Sequence, residues 1–497
     1  MKLFIISVFA SLLFIKTSCS QVTTKEDKKS TDKPTELAQI ETGPTQVKLG
    51  DGQIHVYRLA LAATAEYTTF FGGKKEALAA QMKVVARVNE LYGEDLSIRL
   101  ELIPDNERLI FLDPKTDPYD ITNSNQMMMR NQVVIDSIIG TENYDIGHLF
   151  FLFKDSDGIS ENGCICNSET KAQGVTGSAT PEGDHFDIDF VAHEIGHQFG
   201  AHHVQSNNCQ RNDPTAVEPG SGSTVMSYAG ICYPNVQKHC DPYFHSVNIE
   251  EILTFITIKK SDCGTKEAIA GHWPHIDNMT VTANIPISTP FVLTGEASDA
   301  DKDEITYCWE QMNHTTNIQM PPVSSFTAGP LFRSFTPNSD GARYFPALED
   351  LTTGESPRWQ VLPSKDANLK FNLTVRDNSS KGGHVTIASS TINVFQAAGP
   401  FQINAPEDTF WTAGSSYKVT WDLANTDKAP ISCSKVDIIL STDGGKTFTQ
   451  LLADDIANNG SAEIKVPDLT SDKAFLMVRS VDNVFFTVTS APISIRK

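Results

Sequence analysis

The stretch HEIGHQFGAHH, residues 193–203, decides how the first half of this chain is interpreted. His193 and His197 are four residues apart, so on a helix they lie on the same face and can bind one metal ion. Glu194 follows directly and lies within reach of a water molecule on that ion. The spacing therefore predicts a helix that carries two ligands and one carboxylate of a zinc hydrolase.

The end of the same stretch supplies a third ligand. Gly200 is expected to take the left-handed conformation that ends a helix, so that the chain turns back and His203 reaches the metal. His202 is the nearest rival, but its offset from the second histidine departs from the pattern. A plain amphipathic core helix does not explain three histidines at these offsets. A structural zinc site needs four protein ligands, usually with CxxC spacing, which is missing here.

The pattern HExxHxxGxxH resembles that of the metzincin zinc metalloproteases. Downstream, SGSTVMSYAG is similar to the turn that places a methionine beneath the metal in that clan, with Met226 as the methionine. The resemblance implies an α/β catalytic domain with a mixed sheet, Zn²⁺ as cofactor, Glu194 as general base and protein or peptide substrates. Tyr228 is similar to a tyrosine that binds zinc or stabilises the transition state in astacins and serralysins; plain packing is the alternative.

The flanking sequence narrows the resemblance. KAQGVTG (171–177) and EPGSGSTVMSYAGICYPN (218–235) are similar to bacterial reprolysin-like, adamalysin-related metallopeptidases, over about residues 53–265. Val204, after the third histidine, matches none of the usual residues of the best-known branches, so the branch is mixed.

The N-terminus has the features of an export signal. Residues 1–19 combine Lys2 with an apolar run and small residues, which predicts a secretory signal. Cys19 lies where a lipoprotein signal places its acylated cysteine, although Lys16 departs from that motif. Two alternatives stay open: lipid anchoring at the bacterial cell surface through Cys19, or free secretion. Both predict an extracellular protein.

Residues 20–52 are polar and predict a flexible tether. From residue 53 to 265, strands alternate with amphipathic helices, which predicts the mixed α/β sheet of the catalytic domain. One edge strand of that sheet is expected to accept an extended substrate by backbone hydrogen bonds. His148 and the methionine run 127–129 are expected in the core rather than as ligands.

Short alternating strands follow. They predict two all-β sandwiches, an Ig-like or cadherin-like one at 270–397 and an Ig-like one at 400–497. An acidic repeat in the first has two interpretations, Ca²⁺ ligands or a solvated acidic turn, of which the turn is favoured; its residues are Asp299, Asp301 and Asp303. STDGGKTF (441–448) resembles one Asp-box hairpin, and no activity is assigned to it.

Eight cysteines remain after Cys19, an even number that fits an oxidising compartment. Six lie in the catalytic region, where a bridge between Cys209 and Cys232 is favoured because these residues bracket the loop between the zinc helix and the methionine turn. Cys308 and Cys433 stay unassigned.

The formal charge is −21, with 61 acidic and 40 basic residues, and no Lys/Arg block forms a phosphate-binding face. Nucleic acid is therefore excluded as a partner. A second hypothesis for function is a surface adhesion or glycan-binding protein in which residues 266–497 bind the ligand. A combined hypothesis has the sandwiches orient the protease on its substrate.

Overall fold

The computed structural model describes residues 44–258, 263–316, 320–353, 357–379, 382–406 and 408–497. The predicted signal at 1–19, with Cys19, and most of the predicted tether lie outside these residues. The described chain begins with strand β1 (Gln46–Leu49).

The first domain combines one sheet with several helices. Its strands are β2 (Gln53–Ala63), β3 (Ile98–Leu102), β4 (Ile146–Leu152), β5 (Asp157–Ser160), β6 (Gly174–Ser178) and β7 (Thr265–Ala268). Its α-helices are α1 (Ala65–Phe71), α2 (Lys74–Leu96), α3 (Ser124–Ile139), α4 (Asp184–Phe186), α5 (His193–Gln198) and α6 (Ser246–Ile258). A π-helical segment (Asp187–Ala192) joins α4 to α5, and short 3₁₀ turns cover Asn106–Leu109, Thr141–Asn143 and Asp213–Thr215.

The sheet is mixed, as predicted. Its strand order is β3-β2-β4-β6-β5, with β7 also paired to β2. Strands β2, β3, β4 and β6 are parallel, whereas β5 and β7 run antiparallel to their neighbours. The unbroken apolar run DIGHLFFLF (145–153) favours a strand that is buried on both faces. It contains β4, six of whose seven residues are buried.

Helix α2 continues beyond its predicted end. The sequence favours termination at Gly93, but the helix runs to Leu96 and ends where Ser97 takes a left-handed conformation (φ 52°). Both Tyr92 and Leu96 are buried, so packing of this last turn outweighs the weak helix propensity of glycine.

The rest of the chain is almost entirely β. The strands of the first sandwich are β8 (His275–Met279), β9 (Thr282–Pro286), β10 (Phe291–Ser298), β11 (Thr306–Gln311), β12 (Ala342–Phe345), β13 (Ala367–Arg376) and β14 (Val385–Phe395). The short helix α7 (Leu348–Thr352) follows β12. One sheet has the order β1-β14-β13-β11, with β9 also on β14, and the facing sheet has the order β12-β10-β8.

The second sandwich has the same two-sheet construction. Its strands are β15 (Gln402–Ile403), β16 (Phe410–Thr412), β17 (Ser416–Asp422), β18 (Lys435–Ser441), β19 (Gln450–Ala457), β20 (Ser461–Lys465), β21 (Ser471–Ser480), β22 (Phe486–Val488) and β23 (Ile493–Arg496). The orders are β15-β17-β20 and β16-β23-β21-β18-β19, with β22 also on β21. The predicted fold class, an α/β domain followed by two β-sandwiches, is confirmed.

The predicted tether at 20–52 is wrong at its C-terminal end. Residues 46–49 form β1, which pairs antiparallel with β14 from Leu49↔Val385 to Gln46↔Ala388. The segment is polar in sequence, yet the outer strand of a sheet offers unpaired backbone groups that any extended segment can satisfy. The sheet of the first domain likewise extends past the predicted boundary at 265, because β7 runs to Ala268.

The first sandwich packs directly on the first domain. Val385 and Ile387 of β14 belong to the hydrophobic core that contains α2, α5 and α6. Beside this core, Asp95 of α2 and Arg376 of β13 form an ion pair of 2.6 Å in which each side chain is 3% exposed. The carboxylate also accepts the Phe244 amide at 2.7 Å, and the guanidinium donates to the Phe244 carbonyl at 3.0 Å.

A second buried group at this junction is Glu310 of β11. Its carboxylate accepts the Ser246 amide at 3.0 Å, from the start of α6, and the Thr374 hydroxyl at 3.1 Å. The Tyr243 hydroxyl donates to the Ser334 hydroxyl at 2.7 Å. Polar groups of the first domain and the first sandwich therefore form hydrogen bonds with one another, so the two domains share a packed interface.

Within the described residues, no helix combines the length and apolar character needed to cross a membrane.

Candidate metal centre

Three histidines predicted from the sequence come together at one point. Helix α5 carries His193 and His197, whose Nε2 atoms are 3.1 Å apart. The Nε2 atom of His203 lies 3.2 Å from the first and 2.9 Å from the second. His202 points elsewhere, with its Nδ1 2.7 Å from Glu251 Oε1.

Gly200 produces the turn that brings the third histidine back. Helix α5 ends at Gln198, and Gly200 adopts φ +91°, a conformation that disfavours a side chain. A Cβ on this residue would also lie 3.2 Å from the Phe255 ring. Both the backbone conformation and the packing thus favour glycine here.

The second nitrogen of each ring is fixed by a backbone carbonyl. The Nδ1 atom of His193 lies 2.8 Å from Val225 O, and that of His197 lies 2.8 Å from Ala201 O. The Nδ1 atom of His203 lies 2.7 Å from Gln210 O. A carbonyl accepts only, so each Nδ1 carries the hydrogen and each Nε2 presents a lone pair to the common centre.

This donor set fits a zinc ion. Burial lowers the pKa of His197 to about 3, and burial also lowers the pKa values of His193 and His203, so neutral rings are favoured. Three converging lone pairs cannot satisfy one another, whereas a cation satisfies all three. An ion held about 2.0–2.1 Å from each nitrogen in tetrahedral geometry separates the nitrogens by roughly 3.3 Å, close to the spacing of the triad.

Glu194 lies beside the triad in a desolvated position. One of its oxygens, Oε2, is buried and has no hydrogen-bond partner in the protein. The pKa of Glu194 is raised to about 8, mainly by burial; the Ser160 hydroxyl opposes the rise, and the charge of Asp157 adds to it. A Cβ on Gly158 of β5 would lie 2.6 Å from Glu194 Oε1, so this glycine lets the outer strand pass directly over the carboxylate.

Met226 lies under helix α5. It is fully buried, and its backbone carbonyl accepts the Val204 amide at 3.2 Å. A Cβ on Gly196 would lie 2.6 Å from Met226 Sδ, so the glycine inside HEIGH makes room for the methionine. The same turn supplies Val225 O to His193, which couples the turn to the first ligand.

Tyr228 belongs to this group. The centre of its ring lies 4.5 Å from that of His203 and 5.7 Å from that of His193. Burial, and after it the charge of Glu194, raises the pKa of Tyr228 above its usual value. The hydroxyl therefore stays protonated at neutral pH and can donate a hydrogen bond.

A disulfide closes the loop whose first residues hold the third ligand in place. Cys209 and Cys232 are bonded, which confirms the favoured pair, and Gln210, next to Cys209, supplies the carbonyl that holds His203. A second bridge joins Cys166 to Cys263. The described cysteines that remain free are Cys164, Cys240, Cys308 and Cys433.

His148 and Met127 are core residues, as expected. The core prediction is wrong for Met129, which is 54% exposed because a residue two positions further along helix α3 lies on nearly the opposite face. The Nδ1 atom of His148 lies 2.9 Å from Gln198 Oε1 and its Nε2 lies 2.8 Å from the Thr176 hydroxyl, so both ring nitrogens are satisfied. Met127 is buried between the sheet and α3.

The acidic repeat in the first sandwich has the contacts of a turn. Asp299 Oδ1 accepts the amides of Asp301 and Asp303, and the Asp301 carboxylate accepts the amide of His272. These bonds fit the hydrogen-bonded acidic turn, and a calcium ion gains no support from them.

Residues 53–254, about two fifths of the chain, match the model of the family Reprolysin_4, described as metallo-peptidase family M12B, reprolysin-like. This match supports a metalloprotease. No curated protein matches the chain.

Among solved structures, fibronectin(III)-like modules of Clostridium thermocellum CbhA are 11% identical, over 45% of this chain and 94% of theirs, with a TM-score of 0.16. The Ig1-2 module of the Drosophila receptor protein tyrosine phosphatase DLAR is 7% identical, over 46% of this chain and all of its own, with a TM-score of 0.25. These scores are too low to assign a fold. The sandwiches are defined by their own sheets.

Proposed function

We propose that this protein is a zinc-dependent endopeptidase of the metzincin type, related to the bacterial reprolysin-like branch. The observation that carries the proposal is the convergence of the Nε2 atoms of His193, His197 and His203 on one point, each ring held by a backbone carbonyl. When bound there, zinc supplies the Lewis acid that polarises a scissile carbonyl and lowers the pKa of a water molecule.

Glu194 is the proposed general base. Its buried Oε2 has no protein partner, and the residue directly follows His193 on the helix that carries two ligands. Although burial favours the protonated form, a neighbouring positive charge favours the carboxylate. That carboxylate accepts a proton from the attacking water and donates it to the leaving amine.

Tyr228 is the proposed oxyanion donor. It stays protonated at neutral pH and its ring lies against two of the ligand rings. A hydroxyl aimed at the tetrahedral oxyanion stabilises charge that develops only in the transition state. Tyr228→Phe should therefore lower kcat about 10²-fold with little change in zinc content, by analogy with other oxyanion donors.

Strand β5 is the proposed substrate edge. It is an outer strand of the sheet and, among the described strands, pairs with β6 alone; Gly158 brings it directly over Glu194. An extended peptide that adds to this edge places its backbone beside the carboxylate. This mode of binding recognises main-chain groups, and we therefore propose that the substrates are proteins or peptides.

Chelation and readdition of zinc test the proposal. The full chain is incubated with a proteome-derived peptide library before chelation, after chelation and after zinc is restored, and the cleavage sites are sequenced. We expect cleavage that disappears on chelation and returns with zinc. Cleavage that survives complete removal of zinc would refute the assignment.

We also propose that the protein works outside the cell. Its two disulfides fit an oxidising compartment. Lipid anchoring through Cys19 and free secretion make different predictions for Cys19→Ala. If the protein is anchored, the wild type partitions with membranes and this variant does not; if it is secreted, both are found in the medium.

A further inference from the structure

A second group of metal-ligating side chains lies outside the triad. Asp189 Oδ2 is 2.8 Å from His185 Nδ1 and 2.8 Å from His239 Nδ1. The two imidazole rings are 4.8 Å apart, centre to centre. One potential ligand atom from each residue lies within 4.8 Å of the others.

Two neighbouring segments of the chain bring these three residues together. His185 in α4 and Asp189 in the π-helical segment are four residues apart, so they lie on one helical face. His239 comes from the loop that follows the methionine turn. The amide of Cys240 donates to Asp189 Oδ1 at 3.0 Å, which occupies one carboxylate oxygen and directs the other to the two imidazoles.

The accessibility of the group suits an ion that enters from solvent. The Asp189 side chain is 8% exposed, whereas those of His185 and His239 are each 46% exposed. The carboxylate therefore forms a nearly buried base under two accessible rings. An ion at this point has protein ligands on one side and room for water on the other.

The chemistry of the donors selects the class of ion. Two imidazole nitrogens and one carboxylate oxygen suit zinc and neighbouring divalent transition metals, whereas calcium and magnesium prefer oxygen alone. Two neutral imidazoles and one carboxylate together carry a charge of −1, and a bound divalent ion changes the net charge of the site to +1. Without an ion, both Nδ1–H groups donate to the same oxygen. To bind a divalent ion through Nδ1, each neutral ring carries its hydrogen on Nε2 instead, so that both Nδ1 lone pairs and the carboxylate oxygen are free for the ion.

We propose that His185, Asp189 and His239 form a second site for a divalent transition metal such as zinc, separate from the His193/His197/His203 centre. Asp189 lies one helical turn before His193, so an ion here joins the start of the catalytic helix to the loop after the methionine turn. The proposal does not depend on peptidase activity.

Zinc content tests the second site. Full-length wild type, His239→Gln and Asp189→Asn are equilibrated with buffered free Zn²⁺, and bound zinc per chain is measured by mass spectrometry. Asparagine keeps an oxygen for the Cys240 amide, and glutamine keeps a side chain that can donate. His272→Gln is the matched control, an exposed histidine whose Nδ1 lies 3.1 Å from Asp301.

We expect two zinc equivalents in the wild type and in His272→Gln, and one in His239→Gln and in Asp189→Asn. The remaining equivalent in these two variants shows that the triad is still folded. Saturating zinc should also raise the thermal transition of metal-depleted His203→Gln, in which only the second site is intact, but not that of His203→Gln/His239→Gln. One equivalent in the wild type, or two in every variant, would overturn the proposal and leave a metal-free His–Asp–His hydrogen-bonded cluster.

Discussion

The buried ion pair between Asp95 and Arg376 predicts that the first domain and the first sandwich unfold together. Each side chain is 3% exposed. Burial alone lowers the pKa of Arg376, but the charge and hydrogen bond of Asp95 outweigh it and hold the pKa above its usual value. Arg376→Met leaves the aspartate buried with the Phe244 amide, which belongs to the same domain, as its remaining partner and with no partner from the sandwich.

Removing one partner of a buried pair costs about 3–5 kcal/mol, because the other charge stays desolvated. Arg376→Met should therefore lower the free energy of unfolding by about that amount. Asp95→Asn in the same background removes the stranded charge and keeps an oxygen for the Phe244 amide, so it should recover more than half of the loss. The matched control is Arg479→Met, whose partner Asp437 is 2.9 Å away but whose own side chain is 44% exposed. Its loss should stay below about 1 kcal/mol.

The chain carries separate reporters for the two domains. All five tryptophans lie at or after residue 273, whereas every described helix except α7 lies before residue 259. Urea unfolding is followed by tryptophan fluorescence for the sandwiches and by circular dichroism at the helix band for the first domain. We expect Arg376→Met to shift both transitions together. A shift in fluorescence alone, with an unchanged helix transition, would refute the coupling.

Three further predictions concern the site. Met226→Ala should lower the free energy of unfolding by about 2–5 kcal/mol, because it leaves a cavity under α5. Met226→Leu fills that space and should cost less than about 1.5 kcal/mol. Equal losses of the two variants in urea unfolding would contradict this prediction. Burial lowers the pKa of His148 from 6.5 to about 4. Between pH 6.5 and 4, His148 therefore binds a proton in the unfolded state but not in the folded state. The free energy of unfolding is highest above pH 6.5 and falls by about 3 kcal/mol as the pH drops toward 4. His148→Gln should lose this part of the pH dependence in urea unfolding at a series of pH values, and an identical pH profile would count against it. The Cys209–Cys232 bridge spans 23 residues, so replacing both cysteines with serine should lower the free energy of unfolding by about 3 kcal/mol. It should also weaken zinc binding, because Gln210 in this loop holds His203. Thermal unfolding and zinc titration measure the two effects, and unchanged values would show that the loop keeps its structure without the bridge.

The metal ligands were predictable because their signal is local. His193, Glu194 and His197 share a helical turn, and Gly200 and His203 follow within six residues, so spacing alone brings them together. The alternation of apolar residues likewise predicts most helices and strands of the first domain. These features depend on residues that are close together in the sequence, so they can be recognised from one sequence alone.

The supporting contacts were not predictable in this way. The carbonyls of Val225, Ala201 and Gln210 that orient the triad belong to the backbone, and no side chain marks them. Asp95 and Arg376 are 281 residues apart, so their pairing exists only in the folded chain. The docking of the first sandwich therefore left no local pattern.

The second group of metal-ligating side chains was predictable only in part. His185 and Asp189 have the four-residue spacing that a search for ligands on one helical face would find. Their partner His239 is 50 residues further along and reaches them only because the loop after the methionine turn folds back. The edge strand β1 was missed for a related reason, since its polar residues find a partner in β14 rather than in their own pattern.

The rate of peptide cleavage by Glu194→Ala, measured at one zinc ion per triad, shows whether Glu194 acts as the general base at the metal centre. Removal of a general base lowers the rate by about 10²–10⁴-fold, so we expect a loss at least that large with zinc retained. Glu161→Gln, an exposed carboxylate after β5, should cleave at the wild-type rate. Undiminished cleavage by Glu194→Ala would contradict the account.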